Sequence, residues 1–379
     1  MNEILGPDSP PRGARVVVAM SGGVDSALAA ALCHEAGYEV VGLTLQLYDH
    51  GQAVGRPGSC CAGQDLRDAR AVAARLGFAH YILDYEERFR RQVIDDFTAS
   101  YARGETPIPC IRCNQKVKFA DLLESARELE ATCLVTGHYV QRVMGPAGPE
   151  LHRAADQGRD QSYFLFTTSR PQLDFLRFPL GGLPKSEVRR MAADRGLAVA
   201  GKVDSQDICF IPQGRYATLV EKLRPEAAEP GEIVDQEGQV LGQHKGIIHF
   251  TVGQRRGLGL DRAAGALYVL RLDAERRQVV VGPEAALAQD LVILRETSWL
   301  EDLTPGRLLQ VKLRSRQEPQ PARLVEVGQE TAAIQLLSPS GAVAAGQAAV
   351  AYDGERLLGG GFIAESRRAT AVTETSSAA

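Results

Sequence analysis

No stretch of this 379-residue chain approaches the roughly 18–20 consecutive apolar residues that a membrane-crossing helix needs. Its first fifteen residues, MNEILGPDSPPRGAR, hold no apolar run of the kind that directs export. The expectation is an unexported, cytoplasmic protein with no membrane partner. Cysteine is sparse. The seven residues Cys33, Cys60, Cys61, Cys110, Cys113, Cys133 and Cys209 form an odd set without the density of a secreted disulfide scaffold. In a reducing compartment such cysteines are buried, catalytic or metal-bound. A GxxxxGK[ST] string is missing, which argues against γ-phosphate transfer of the P-loop kind. The Cys-x-x-Cys at 110–113 has no second CxxC or HxxxH to complete a zinc site. There is no internal repeat, and no dominant charge. With 43 Lys and Arg against 47 Asp and Glu, net charge speaks neither for nor against a nucleic-acid partner, because basic residues can be confined to one face.

What is present is an ordinary globular composition, 44% hydrophobic and 24% charged, in a chain long enough for two or three domains. From Arg15 to Tyr139 short β-branched runs alternate with longer amphipathic ones. Segments 16–20, 39–45, 80–84 and 133–139 read as strands, and Ala27–Ala36, Gln64–Leu76, Phe89–Tyr101 and Lys116–Leu129 as helices. This pattern predicts an α/β fold, a doubly wound parallel sheet with helices on both faces. Ligands of such sheets bind beyond the carboxyl ends of the strands, where loops 21–26, 46–63, 103–114 and 136–142 would gather. Beyond about Glu229, strand-sized runs at 278–282, 308–314, 332–336 and 348–352 replace the long helices. Boundaries near 214–230 and 283–290 divide the chain into 14–214, a small central domain at 215–285 and a β domain at 286–365. The polar, small-residue tail 366–379 reads as disordered.

Two strings carry chemistry. The first is VVVAMSGGVDS at 16–26, a hydrophobic strand followed by Ser-Gly-Gly-Val-Asp-Ser and an Ala-rich helix. Adjacent glycines let backbone fold around an anion, and the following helix aims its N–H groups at it. Ser21 and Ser26 add hydroxyl donors. Asp25 repels a bare phosphate, so its natural contact is through Mg²⁺. The bland reading is a tight turn with Ser or Asp as the helix N-cap. The second string is TPIPCIRCNQKVKF at 106–119, a Pro-stiffened loop leading into a helix start. A thiol there would feel the helix dipole and Arg112, Lys116 and Lys118, all favouring the thiolate. Further on, Cys209 lies in KVDSQDICF at 202–210. Cys33, in a helix, and Cys133, in a strand, read as core, whereas Cys60 and Cys61 stay unassigned. Local basic clusters at RFRR (88–91), GQRRGLG (253–259) and KLRSRQ (312–317) suit phosphate contacts, the glycine-rich one best.

SGGVDS resembles the PP-loop of ATP pyrophosphatases. With CxxCNxxxKF, LVTGHY at 134–139, RDQSYFLF at 159–166 and DSQDICF at 204–210 in the same order, residues 14–363 resemble the bacterial tRNA-specific 2-thiouridylases. The resemblance implies a PP-loop ATPase domain, a small central domain and a C-terminal β-barrel. It implies ATP and Mg²⁺ as cofactors, tRNA for Lys, Glu and Gln as substrate, and a cysteine desulfurase or sulfur-relay protein as sulfur donor. ATP adenylates O2 of the wobble uridine, and sulfur arriving as a persulfide displaces AMP. Cys113 maps onto the nucleophile and Cys209 onto the persulfide carrier, with a Cys113–Cys209 disulfide as by-product. ATP contacts map onto Ala19, Met20, Ser21, Gly22, Gly23, Val24, Asp25 and Ser26, with Leu45 and Gly137. Ile108, Pro109 and Cys110 border the target base. His138, Arg159, Asp160, Gln161, Arg314, Ser315 and Gln347 touch tRNA, although Arg314 also reads as a solvated strand face and His138 as an ordinary loop histidine. Many family members carry Asp where this chain has Cys110. That departure opens a second route, an iron–sulfur cluster held by Cys110, Cys113 and Cys209. The remaining alternatives are a PP-loop synthetase acting on a small molecule, although amide-forming ligases have no use for paired thiols, and a non-catalytic protein, either a nucleotide-gated tRNA binder or an iron–sulfur carrier.

Overall fold

The computed structural model describes residues 4–47, 61–204, 208–211, 216–260 and 265–369. The chain divides into two compact units. The first comprises Met1–Asp96, Pro109–Gly214 and Gly354–Leu357, and the second Phe97–Ile108, Arg215–Asp353 and Leu358–Ala379.

In the first unit, strands β1 (Arg15–Ala19), β2 (Glu39–Gln46), β3 (Ala79–Asp84), β4 (Leu134–Val135) and β7 (Leu176–Arg177) form one sheet in the order β3-β2-β1-β4-β7. Every pairing is parallel, with Val18 opposite Gly42 on one side and Val135 on the other. Val16, Val17 and Val18 are fully buried, as expected of a central strand covered on both faces. Helix α1 (Val24–Glu35) buries every residue from Ala27 to Cys33, so its alanines let it approach the sheet closely. Helix α2 (Cys61–Leu76) packs Ala69 and Val72 into the same core. An antiparallel hairpin, β5 (Val140–Gly145) and β6 (Gly148–Arg153), follows β4. The amino-terminal residues join this unit, with Leu5 in the core and Asp8 paired to Arg142 at 2.6 Å and Arg177 at 3.1 Å.

Three elements differ from their sequence reading. The expected strand 133–139 keeps only Leu134–Val135 as strand, and Gly137 opens a loop. Helix α1 starts at Val24 rather than Ala27, which puts Asp25 and Ser26 in its first turn. The helix expected from Lys116 begins seven residues earlier. It runs as α3 (Pro109–Cys113), a π-helical stretch (Asn114–Leu122) and α4 (Leu123–Glu128). Pro109 therefore does not stiffen a loop. It opens the helix, where its fixed φ and missing N–H cost nothing, and both cysteines of the CxxC lie on that helix.

In the second unit, β8 (Gly231–Val234), β9 (Val240–His244), β10 (Tyr268–Asp273) and β11 (Gln278–Gly282) form a four-stranded sheet in the order β10-β11-β8-β9. Strands β12 (Gln289–Trp299), β13 (Leu308–Lys312), β14 (Gln320–Val327), β15 (Thr331–Ser340), β16 (Ala348–Asp353) and β17 (Arg356–Arg367) run in the order β12-β15-β14-β13-β16-β17. A β12–β17 pairing closes them into an antiparallel barrel. Val292, Leu294, Val311, Leu324, Ile334 and Ile363 fill it, so closure leaves no open sheet edge. The segment Phe97–Ile108 belongs to this unit because Arg295 binds Glu105 bidentately at 3.0 Å and Gln347 donates to the Thr106 carbonyl at 2.8 Å. The expected tail begins too early at 366. Strand β17 continues to Arg367, the Ser366 hydroxyl donates to Val343, and the Ala369 amide donates to Asp290 at 2.6 Å. Residues 370–379 lie outside the described residues.

Candidate active site

The phosphate loop leaves β1 at Ala19 and Met20 and enters α1 at Val24. Gly23 is the N-cap, with extended backbone and no side chain bonded to the free N–H groups of α1. The bland reading, a Ser or Asp cap, is therefore excluded. The hydroxyl of Ser26 turns into the loop instead, donating to Gly23 O at 3.2 Å and accepting the Ser21 N–H at 3.1 Å. An uncapped twelve-residue helix behind a glycine doublet presents N–H donors and a positive dipole end to an anion. Gly137 explains the TGHY string. A Cβ there would stand 2.9 Å from the Asp25 carbonyl carbon and 3.0 Å from the Ser26 nitrogen, so only glycine lets the loop after β4 lie against the first turn of α1. Leu45 sits one residue before the carboxyl end of β2.

Asp25 is already engaged. Lys185 holds both its oxygens at 2.7 and 2.8 Å, and the Tyr139 hydroxyl donates to it at 2.8 Å. Lys185, 9% exposed in its side chain, also lies 2.9 Å from Asp204, which binds Arg189 at 2.8 Å and Arg159 at 3.0 Å. Burial works against the charged form of Asp204, but Lys185, Arg189 and Arg159 outweigh it and hold its carboxyl below the usual range. Lys202 donates to the Gly22 carbonyl at 2.9 Å, binds Asp65 at 2.6 Å and also pairs with Asp68. Sequence reasoning missed Lys185, Lys202 and Tyr139. The signal for Lys202 was its place in the same string as Cys209, whereas nothing local marked Lys185.

Gln161 supports the Tyr139 backbone twice, its amide donating at 2.9 Å and its side-chain oxygen accepting at 2.8 Å. Arg159 is exposed. Asp160 corrects an expectation. Its side chain is 1% exposed and taken up by Arg153, by the Ser162 hydroxyl at 2.9 Å and by the Ala154 amide at 3.2 Å, so its carboxylate shapes the turn. His138 bonds Thr136 at 2.7 Å and stacks edge-on to Phe119. Burial, with Lys118 adding to it, pushes its pKa down to about 3, so the ring stays neutral.

Cys113 is buried and Cys110 exposed. The dipole expectation for Cys113 is corrected, because it ends α3 and the helix runs on through it, whereas Cys110 occupies the first turn. Arg112 is also withdrawn, paired to Asp96 at 3.3 Å and to Gln115 at 3.2 Å. Burial pushes the Cys113 thiol up, and Lys118 alone among the three expected cations acts against it. The surrounding protein likewise raises Cys110, opposed by Lys118 and a backbone hydrogen bond. Cys209 is exposed, in a turn closed by the Ile211 N–H to Ile208 carbonyl bond at 2.9 Å, with Phe210 edge-on to Phe89 at 5.7 Å. Among the described residues no three His, Cys, Asp or Glu side chains converge on a metal position. Cys33 and Cys133 are fully buried core residues. Cys60 lies outside the described residues, and Cys61 opens α2.

Of the basic clusters, RFRR is neutralised, with Arg88 paired to Asp121 and Arg90 and Arg91 to Glu87. In the second unit, Arg255 and Arg256 of GQRRGLG are exposed, in a loop with left-handed Gly253, Gly257 and Gly259. Arg314, also exposed, donates to the Ala342 carbonyl, Ser315 follows it after β13, and Gln347 spends its amide on Thr106.

A parallel sheet with an uncapped phosphate loop at its carboxyl edge, joined in one chain to a closed β-barrel, defines a PP-loop ATP-binding enzyme. The chain matches the family models described as tRNA methyl transferase HUP domain over residues 14–213, tRNA methyl transferase PRC-barrel domain over 218–283, and Aminomethyltransferase beta-barrel domain over 289–363. It is 58% identical to the tRNA-specific 2-thiouridylase MnmA of Rhodospirillum centenum, over 98% of this chain and 96% of that one. The enzymes of the same name from Paracoccus denitrificans and Rhizorhabdus wittichii are 57% and 59% identical, over 96% and 97% of this chain and 95% of each relative. The chain belongs to the bacterial tRNA-specific 2-thiouridylases, and is a tRNA-uridine 2-sulfurtransferase. That sets aside the small-molecule synthetase. No helix among the described residues is long and apolar enough to cross a membrane.

Proposed function

We propose that this enzyme thiolates C2 of the wobble uridine in tRNA for Lys, Glu and Gln, with ATP as activator and a persulfide on Cys209 as sulfur source. The observation that carries the reading is the uncapped α1 N-terminus in one unit with a helix-borne Cys113 and an exposed Cys209. The chemistry explains the parts. Uridine O2 attacks the α-phosphorus and releases pyrophosphate, which makes O2 a leaving group. The terminal sulfur of the Cys209 persulfide then attacks C2 and AMP departs. The Cys113 thiolate attacks the Cys209 sulfur, breaking the S–S bond; the electron pair leaves with the sulfur on C2, and a Cys113–Cys209 disulfide remains. A thiol reductant resets the pair, and a cysteine desulfurase or relay protein reloads Cys209.

The residues from Ala19 to Ser26, with Leu45 and Gly137, would hold ATP. Mg²⁺, which would neutralise phosphate charge, fits the site through Asp25, which is 30% exposed and would share its oxygens between the ion and Lys185. Ile108, Pro109 and Cys110 would border the base. Arg159, Gln161, His138, Arg314, Ser315 and Gln347 are proposed toward tRNA, the last through its remaining carbonyl oxygen. The alternative is the same reaction with the sulfur carried on an iron–sulfur cluster held by Cys110, Cys113 and Cys209. The division at 14–214, 215–285 and 286–365 belongs to the same proposal, as does a cytoplasmic location, and the spans of the family models support the boundaries.

The test incubates protein with ATP, Mg²⁺, a persulfide source and unmodified tRNA reading Lys, Glu or Gln codons, then seeks 2-thiouridine by mass spectrometry of digested tRNA. Thiouridine from the wild type and none from Cys113→Ser or Cys209→Ser is expected. Undiminished thiouridine from either variant overturns the two-cysteine scheme.

A further inference from the structure

The thiolation chemistry leaves the glycine-rich loop GQRRGLG at 253–259 without a task. It is not a slack connection. The Gly253 N–H donates to the Val269 carbonyl at 2.8 Å and the Val269 N–H to the Gln254 carbonyl at 2.9 Å, which stitches the loop to β10. The Gln254 side chain spans the turn, accepting the Thr251 N–H at 3.0 Å and donating to the Arg256 carbonyl at 2.9 Å. Leu258 is buried in the same core as Ile233, Phe250 and Val269. Gly253, Gly257 and Gly259 take left-handed φ values of +87°, +76° and +70°, a backbone path that other residues adopt only at a cost. So held, the loop keeps Arg255 and Arg256 exposed.

Both arginines lack a carboxylate partner among the described residues. Arg271 and Arg277 nearby in the chain are instead taken by Asp273 at 2.8 Å and Glu229 at 2.6 Å. Arg255 lies over the Tyr268 ring, 6.0 Å from its centroid, which orients the guanidinium without neutralising it. The N–H groups of Arg255, Arg256 and Gly257 find no backbone acceptor among the described residues. Free N–H donors beside left-handed glycines suit an anion.

A second observation is where the loop lies. A Cβ on Gly253 would stand 2.5 Å from the Ala342 Cβ, so this glycine lets the loop press against the β15–β16 connection of the barrel. Ala342 in turn accepts the Arg314 guanidinium on its carbonyl. Arg314 is exposed and has no carboxylate partner among the described residues either. Ala342 thus joins the two loops, and three unneutralised guanidinium groups come from neighbouring segments of the second unit.

We propose that loop 253–259 and Arg314 form one surface that grips the phosphate backbone of the tRNA. Guanidinium forks fit phosphate oxygens, and groups presented from two loops suit a chain of phosphates better than one small anion. Such contacts fix register and affinity and carry no base information. The inference rests on tRNA as the substrate but not on the two-cysteine scheme, because its test uses neither ATP nor a sulfur donor.

The test is the Kd of the full chain for fluorescently labelled, unmodified tRNA reading Glu codons, measured from about 0.05 to 1 M KCl. In Arg255→Gln/Arg256→Gln the slope of log Kd on log salt is expected to fall by roughly 1.5, two phosphates at about 0.7–0.9 each. Binding is then about thirtyfold weaker at about 0.1 M salt, and the two curves meet at about 1 M. Arg255→Lys/Arg256→Lys, which keeps both charges, is expected to hold the slope within about 0.3 of wild type. Both pairs are exposed, so unchanged thermal unfolding shows that the fold is intact. An unmoved slope in the Gln pair, or a Lys pair that loses as much, overturns the surface alone. With that unmoved slope, thiouridine lost only when sulfur comes through a relay protein would give the loop to an acidic protein partner instead. No tRNA binding by the wild type would overturn the substrate reading and the surface with it.

Discussion

The two glycines of the phosphate loop are expected to respond very unequally to one added methyl group. Gly22 has φ +74°, and a Cβ there would stand 2.2 Å from the Asp65 carbonyl oxygen and 2.7 Å from its carbonyl carbon and Cα. All three are backbone atoms of α2, which has no rotamer to yield. Left-handed backbone costs a non-glycine residue about 1–2 kcal/mol and overpacking about 1–3 kcal/mol, so Gly22→Ala should destabilise by roughly 2–5 kcal/mol. That is a large share of the ~5–15 kcal/mol that holds a typical domain together. Gly23 has φ −92°, and its Cβ would meet nothing nearer than the Ser21 Oγ at 3.5 Å. The cost of Gly23→Ala is then the poorer N-cap, at most about 1 kcal/mol. Urea unfolding followed by far-UV circular dichroism measures both, and ATP-dependent pyrophosphate release reports the loop. Equal midpoints for the two variants would refute the reasoning, because they would mean that α2 does not press on Gly22.

Two further outcomes follow from the charges. His138 has its folded pKa held near 3 against an ordinary 6.5, so the unfolded chain binds a proton that the folded one refuses. Its contribution is full above pH 6.5 and falls by about 1.4 kcal/mol per unit as pH drops toward 3. His138→Gln should flatten the acid limb of stability in that window, and thermal unfolding at pH 7 and 5 checks it; an unchanged slope assigns the acid limb to other groups. Lys185→Met leaves Asp25 and Asp204 without their shared cation. The expected loss is about 2–3 kcal/mol, less than for a fully buried pair because Asp25 stays partly exposed, together with weakened ATP binding by calorimetry. Stability and binding both at wild-type level would count against the role given to Lys185.

Much of this was legible in the chain alone. Strands β1, β2 and β3 announce themselves as β-branched runs between amphipathic helices. The SGGVDS string specifies an anion loop, because glycine backbone freedom and a following helix are local properties. The β-rich carboxyl third could likewise be read from period and punctuation. What local pattern cannot carry is which partner a side chain meets across the fold. Asp25 read as a magnesium contact, and nothing local showed that Lys185, 160 residues away, also holds both its oxygens. Asp160 read as a tRNA contact, yet its carboxylate closes a turn. Cys113 read as a loop thiol favoured by three cations, whereas the fold buries it inside a helix, ties Arg112 to Asp96 and leaves Lys118 opposing the cost of burial. The π-helical stretch Asn114–Leu122 was invisible for the same reason. Composition does not encode it, and the hydrogen bonds from Gln172 to Phe119 and from Asn114 to Phe164 that accompany it form only when distant segments pack. The sequence by itself determined the kind of backbone each segment adopts and the chemical groups available, since φ/ψ preference and hydrophobic period act over a few residues. Only the tertiary structure decided which of those groups are charged, paired or buried, because desolvation and Coulomb energy depend on neighbours that the chain order does not specify.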